Sequence, residues 1–156
     1  MGIEIERKFL VTGDGWRARV VRSQRMRQGY LCTDPGRASI RVRRTEEGAW
    51  LNIKGATVGM TRAEFEYPIP PADADAMLDT LCGGRLIEKT RYWVQAGDHV
   101  WEVDVFEGAN AGLVVAEVEL ESETERLDLP DWVGNEVTED AKYYNACLVN
   151  RPFGSW

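Results

Sequence analysis

Apolar and polar residues alternate strictly over segment after segment of this chain, the period-two pattern of strands whose two faces meet different surroundings. In GIEIERKFL, residues 2–10, Glu4, Glu6 and Lys8 occupy alternate positions, and Ile3, Ile5 and Phe9 fill most of those between. ASIRVRRT (38–45) sets Arg41 and Arg43 against Ile40 and Val42, and AWLNIKG (49–55) sets Asn52 and Lys54 against Leu51 and Ile53. In TRAEFEYPI (61–69), Arg62, Glu64 and Glu66 alternate with Ala63, Phe65 and Tyr67, and the segment closes at Pro68, which cannot continue a ladder. RLIEKTRYWVQ (85–95) places Lys89 and Arg91 on one face with Ile87 and Trp93. HVWEVDVFE (99–107) opposes Glu102 and Asp104 to Trp101, Val103 and Val105, and LVVAEVELE (113–121) opposes Glu117, Glu119 and Glu121 to Val114, Ala116, Val118 and Leu120. With RMRQGYLC (25–32), about eight strands are predicted.

Turn chemistry supports these boundaries: Asp34, Pro35 and Gly36, then Glu47 and Gly48, then Gly97 and Asp98 separate consecutive strands and imply antiparallel connections. PPADADAMLDTLCGG (70–84) reads as a helix, with Pro71 near its start, Met77, Leu78 and Leu81 at helical spacing and Gly83 as a stop. TEDAKYYNACLVN (138–150) reads as a second helix, Gly15–Arg22 as a shorter one, and SETERLDLPDW (122–132) as an acidic surface loop. The predicted class is α+β and mostly antiparallel β, a barrel or a sandwich, in one domain spanning 1–156.

Composition narrows the partners. The 156 residues are 44% hydrophobic and 29% charged, enough for one domain with a real core. A net charge of −7 argues against nonspecific grip on nucleic acid or an anionic membrane. Neither a membrane span nor a signal peptide is legible, so the expected location is the cytoplasm. Cys32, Cys82 and Cys147 are odd in number and form no C-x-x-C pair, and His99 is the lone histidine. Disulfide, zinc and histidine-based chemistry therefore lack material; the cysteines read as packing residues and His99 as structural or surface.

Charged strand faces ordinarily point to water. Here they come as tight pairs of one sign, Glu4 and Glu6, Arg41 and Arg43, Lys89 and Arg91, Glu102 and Asp104, Glu117 and Glu119, which repel unless something sits between them. Turned inward, these faces form a polar channel with an acidic and a basic zone, and the outward apolar faces must be covered by helices or by a second subunit, a homodimer. Carboxylates without histidine or thiolate suit hard divalent ions, Mg²⁺ or Mn²⁺. Lys8, Arg41, Arg43, Lys54, Lys89 and Arg91 exceed what carboxylates need and match a small polyanion such as a triphosphate. No glycine-rich phosphate loop is present, so recognition falls to side chains and metal.

EIERK, residues 4–8, resembles the E-x-E-x-K signature of the CYTH superfamily, the triphosphate tunnel metalloenzymes. The resemblance continues in order through SIRVRR, NIKG, EFEYPI, IEKTRY, WEVDVFEG, VVAEVEL and GNEVTEDAKYYNACL, and the short chain looks most like the compact bacterial inorganic triphosphatase type. It implies a closed eight-stranded antiparallel tunnel that binds triphosphate with divalent metal. It further implies that Glu4 and Glu6 hold a metal and orient the attacking water, and that Glu117 and Glu119 bind the other metal position. Asp104 and Glu102 match the acidic pair of the seventh strand, and Glu64 and Glu66 a strand with tunnel-facing acids, either of which could ligate. Lys8, Arg41, Arg43, Lys54, Lys89 and Arg91 fall on phosphate-binding positions, Lys142 on a basic position of the C-terminal helix, and Tyr30 on a second-strand tyrosine that either packs or contributes to catalysis. Lys8 or Lys89 is the candidate for stabilising the leaving pyrophosphate. The implied reaction is hydrolysis of inorganic triphosphate, with thiamine triphosphatase, a class IV type adenylate cyclase and a noncatalytic polyphosphate or nucleotide binding module as alternatives.

Overall fold

A computed structural model describes residues 2–34 and 36–156; Pro35, expected in the first hairpin turn, lies outside the described residues. Nine strands form: β1 (Gly2–Val11), β2 (Val20–Asp34), β3 (Ala38–Thr45), β4 (Gly48–Gly55), β5 (Thr61–Pro68), β6 (Leu86–Ala96), β7 (His99–Phe106), β8 (Val114–Glu119) and β9 (Val133–Glu136). Eight of them run antiparallel in the order β5, β4, β3, β2, β6, β7, β8, β1, and β1 pairs back with β5 to close a barrel. Of the two architectures left open by the alternation, the structure is the barrel. The helices are α1 (Pro71–Thr80) and α2 (Asn145–Leu148). No described helix is long and apolar enough to cross a membrane.

Three expectations need correction. The helix predicted over Gly15–Arg22 is a single 3-10 turn, Gly15–Arg19, after which Val20 is extended and β2 begins five residues before Arg25. Pairing with β6 from Val94 down to Leu86 holds this early part of β2 extended, although VVRSQ alone shows no clean alternation. The C-terminal helix is broken: Ala141–Tyr143 form a 3-10 turn, Tyr144 is extended, and only Asn145–Leu148 are α-helical. β9 is the third, four residues too short to show a period, paired with β1 at Phe9 and Val11. Gly134 permits that approach, since a Cβ there would lie 3.1 Å from the Leu10 carbonyl.

The outward apolar positions are covered in two places. Phe9, Val94, Trp101, Val103, Ala116 and Val118 pack under Trp16 of the 3-10 turn and under Leu120, Leu127, Trp132 and Val133, so the stretch read as an acidic surface loop in part caps a core. α1 has Pro at its first turn and lays Ala74 and Leu78 on Val42, Ala49 and Cys82, while Leu81, expected on its apolar side, is 61% exposed. Gly29 lets β2 pass beneath this helix, because a Cβ would come within 2.8 Å of both Cys82 Sγ and Leu86. Among the described residues the outer face is barest where the start of β1 meets β5: Ile3 is 67% and Tyr67 52% exposed.

A third apolar cluster lies on the inward face of the barrel. Ile87 and Val115 are in phase with Lys89 and Glu117, and Phe106 with Asp104; together with Leu113 they receive Leu148 and Val149. The C-terminal segment thereby fills one part of the barrel interior and leaves the rest to charge.

Candidate active site

The remaining interior is a cavity of about 510 Å³. Glu4, Glu6, Lys8, Tyr30, Arg41, Arg43, Lys54, Glu64, Glu66, Arg91, Glu102, Glu117 and Glu119 all line it, so the charged strand faces do turn inward. A bulge in β2 between Tyr30 and Cys32 resets the alternation, which is why both Tyr30 and Thr33 reach the cavity. Tyr30 also packs against the inner apolar cluster.

One zone centres on Glu4. Lys54 Nζ donates to it at 3.1 Å and Arg62 Nε at 3.2 Å. Burial works to raise the Glu4 pKa, yet a hydrogen bond from Glu64 and the Lys54 and Arg62 charges hold its carboxyl well below the usual carboxylate range. The same hydrogen bond, with burial, pushes Glu64 up to about 7. Glu6 lies opposite Glu119 across β1 and β8 and 3.9 Å from Arg62. Burial and the negative charges of Glu117 and Glu4 push its carboxyl up to about 8.

A second zone joins β6, β7 and β8. Arg91 holds Asp104 bidentately at 2.8 and 2.9 Å and pairs with Glu102, and Lys89 Nζ donates to Asp104 at 2.6 Å. Lys8 Nζ sits 3.4 Å from Glu117, whose carboxyl is held low by Lys8 and Arg91 against the opposing effect of burial. Burial lowers Lys89 to about 7 despite Asp104, with Arg91 and Arg43 acting in the same direction.

Not every expected residue reaches the cavity. Lys89 and Asp104 are 0% and 1% exposed in side chain, lie behind the lining, and satisfy one another there. Lys142 is exposed outside it, its Nζ 4.7 Å from the Trp156 ring. Conversely, Arg62 lines the cavity beside Glu4 and was absent from the expected cations, although the alternation had put it on the face of Glu64 and Glu66. Asn145 and Tyr144 also line it, brought there by the break in the C-terminal helix, which no periodicity signals.

Arg41 is the outlier among the cations. It is 6% exposed, its Nε is buried without a partner, and it makes no hydrogen bond or ion pair among the described residues. A buried guanidinium N–H without an acceptor is costly, and an anion in the cavity would give the rest of the group a partner.

Among the described residues no three acidic, histidine or cysteine side chains converge as a ready metal cluster, because Lys54, Arg62, Lys8 and Arg91 draw the carboxylates apart. The donor set still fits a hard divalent cation. It is all oxygen, Glu6 and Glu119 oppose one another directly, and the like-charge crowding that raises Glu6 is what such a cation relieves.

Comparison with known proteins places the chain by family and fold. The CYTH domain family matches residues 2–150. An inorganic triphosphatase of Acetivibrio thermocellus is 44% identical over 153 residues, covering 98% of this chain and 97% of that protein. One from Nitrosomonas europaea is 37% identical, covering 94% and 96%. The crystal structure of the inorganic triphosphatase NE1496 superposes with a TM-score of 0.67 at 36% identity, covering 96% of this chain and 95% of that one. With a barrel closed by β1, charge turned inward and family blocks matched from end to end, the chain belongs to the CYTH family.

Proposed function

We propose that this chain hydrolyses inorganic triphosphate to pyrophosphate and phosphate inside the barrel, as a single cytoplasmic CYTH domain over residues 1–156 that depends on Mg²⁺ or Mn²⁺. The observation that carries this reading is Arg41, a buried cation whose side chain has no partner among the described residues, in a cavity of about 510 Å³ that also presents Arg43, Lys54 and Lys8. The relatives at 44% and 37% identity, both inorganic triphosphatases, support the substrate.

Charge accounting gives the chemistry. Phosphoryl transfer passes through a loose transition state, so catalysis is positioning plus neutralisation of charge on the transferring and leaving groups. Arg41, Arg43 and Lys54 grip the phosphate oxygens. Glu4 and Glu6 would hold one divalent cation and Glu117 and Glu119 would serve the other metal position, with Glu64, Glu66 or Glu102 at the margin, and the bound metal would supply further charge neutralisation. Water attacks the terminal phosphorus in line, the bridging P–O bond breaks, and pyrophosphate leaves with the bonding pair. Glu4 and Glu6 orient that water. Lys8 lines the cavity and stabilises the leaving group; Lys89 acts from behind by holding Asp104, and through it Arg91.

Phosphate release from inorganic triphosphate, thiamine triphosphate, ATP and pyrophosphate, each with Mg²⁺, Mn²⁺ or EDTA, tests the proposal. Release is expected from inorganic triphosphate first and is expected to vanish in EDTA. No release from any substrate, with triphosphate binding retained, makes the chain a binding module; cyclic AMP from ATP makes it a cyclase.

A further inference from the structure

Gln28 on β2 is completely buried, and its amide joins two parts of the site. Arg43 Nε donates to Gln28 Oε1 at 3.0 Å, and Gln28 Nε2 donates to Asn145 Oδ1 at 3.2 Å. The direction of this relay is forced. A guanidinium can only donate, so the Gln28 atom facing Arg43 is the carbonyl oxygen, and the atom facing Asn145 is the NH₂ group. Asn145 must then meet Gln28 with its own oxygen, which leaves its NH₂ group for the other side. That side is the cavity: Asn145 lines it, and Asn145 Nδ2 makes no hydrogen bond among the described residues and is not buried.

We infer that Asn145 is a substrate-binding residue, donating its amide N–H to a phosphate oxygen of the triphosphate, and that Gln28 is the positioning residue that fixes both the Asn145 amide and the Arg43 guanidinium. This rests on the reading of the cavity as a triphosphate site. A neutral donor has a distinct use among so many charges: it donates equally to an oxygen of the substrate or to one of the leaving pyrophosphate, and it does not bind a cation. The placement also gives the break in the C-terminal helix a role. Asn145 begins α2, and Leu148 and Val149, three and four residues on, sit in the inner apolar cluster and hold the amide at the cavity wall.

Calorimetric binding of inorganic triphosphate and steady-state hydrolysis are to be measured on the wild type, Asn145→Ala, Asn145→Asp, Gln28→Glu and Gln28→Glu/Asn145→Ala. Removing one hydrogen bond to a charged acceptor is expected to raise the dissociation constant or KM of Asn145→Ala by about 10-fold or more. Asn145→Asp, which turns a carboxylate oxygen toward phosphate, is expected to be worse. Gln28→Glu offers only acceptors, so it recruits the Asn145 NH₂ group and turns Oδ1 to the substrate; KM should rise in this variant and rise less when Asn145 is already Ala. A merely structural Gln28 would give the same loss in both backgrounds, and that outcome overturns its positioning role. Unchanged KM and affinity in Asn145→Ala, with wild-type binding intact, overturn the assignment of Asn145. Absence of wild-type binding overturns this inference together with the reading of the site.

Discussion

Arg41 and Arg91 lie in one cavity and differ in what holds them. Arg91 is locked to Asp104 by two hydrogen bonds and paired with Glu102, whereas the Arg41 side chain has no hydrogen-bond or ion-pair partner among the described residues. The same substitution should therefore act in opposite ways. Arg41→Gln removes a buried unpaired charge, so the melting temperature should stay level or rise while KM for triphosphate increases about 10- to 100-fold, the range for lost hydrogen bonds to a charged group. Arg91→Gln strands Asp104 beside Lys89 alone and should destabilise by about 3–5 kcal/mol. Thermal melts and kinetics on the two variants separate binding from scaffolding. A large drop in melting temperature for Arg41→Gln with KM unchanged would mean that Arg41 is structural.

At the scale of elements, the C-terminal segment joins packing to function. Leu148 is fully buried among Ile87, Phe106 and Val115 and fastens the four-residue α2 across the barrel interior. Leu148→Ala should cost about 2–5 kcal/mol through the cavity it leaves. Because Tyr144 and Asn145 are carried by the same segment, KM should rise along with the loss of stability, read by kinetics well below the melting temperature. A stability loss with unaltered KM would uncouple the segment from the site. Elements with strong alternation were legible: the core of each barrel strand and the start of α1 follow from period and turn chemistry, whereas the inward turn of the charged faces was suggested by their like-sign pairing and implied by the family resemblance. What escaped was imposed from elsewhere in the chain. The early part of β2 is extended because β6 pairs with it, β9 pairs with the edge of β1 that runs past the end of β5, and the helix over 138–150 breaks at Tyr144 so that Leu148 can enter the barrel. Lys89 and Asp104 illustrate the same limit within the site: alternation put them on the inner face, but depth along that face, which separates a ligand from a buried counter-ion, depends on neighbouring strands.

For the whole molecule, crowding of charge makes stability depend on pH. Folding raises Glu6 to about 8 and Glu64 to about 7 from an ordinary 4.5, so between about pH 4.5 and 7 the folded chain binds more protons than the unfolded one. Stability of the metal-free chain therefore falls as pH rises through that window. Below it, the depressed Glu4, Glu117 and Asp104 act with the opposite sign, and their contribution is lost as pH falls. Above it, Lys89, lowered to about 7 from 10.5, lets the unfolded chain bind the extra proton and stability recovers. In EDTA the melting temperature should drop by about 5 °C or more between pH 5.5 and 7.5, and Mg²⁺ or Mn²⁺ should close most of the gap. A melting temperature that is flat or rises over that interval in EDTA would contradict the assigned crowding.

β1 pairs with β5 through Glu4, with β8 through Glu6 and Lys8, and with β9 beyond them, joining parts of the chain more than a hundred residues apart. The strand that closes the ring is thus also the one that brings the carboxylates and the lysine to the cavity. Closure of the ring and assembly of the site are the same event along the folding path. Such distant pairing carries a high loop-closure entropy and forms slowly. A partly folded chain with this seam still open lacks the contacts of Glu4 with Lys54 and Arg62 and of Lys8 with Glu117, and it holds no half-built site on which a triphosphate could act.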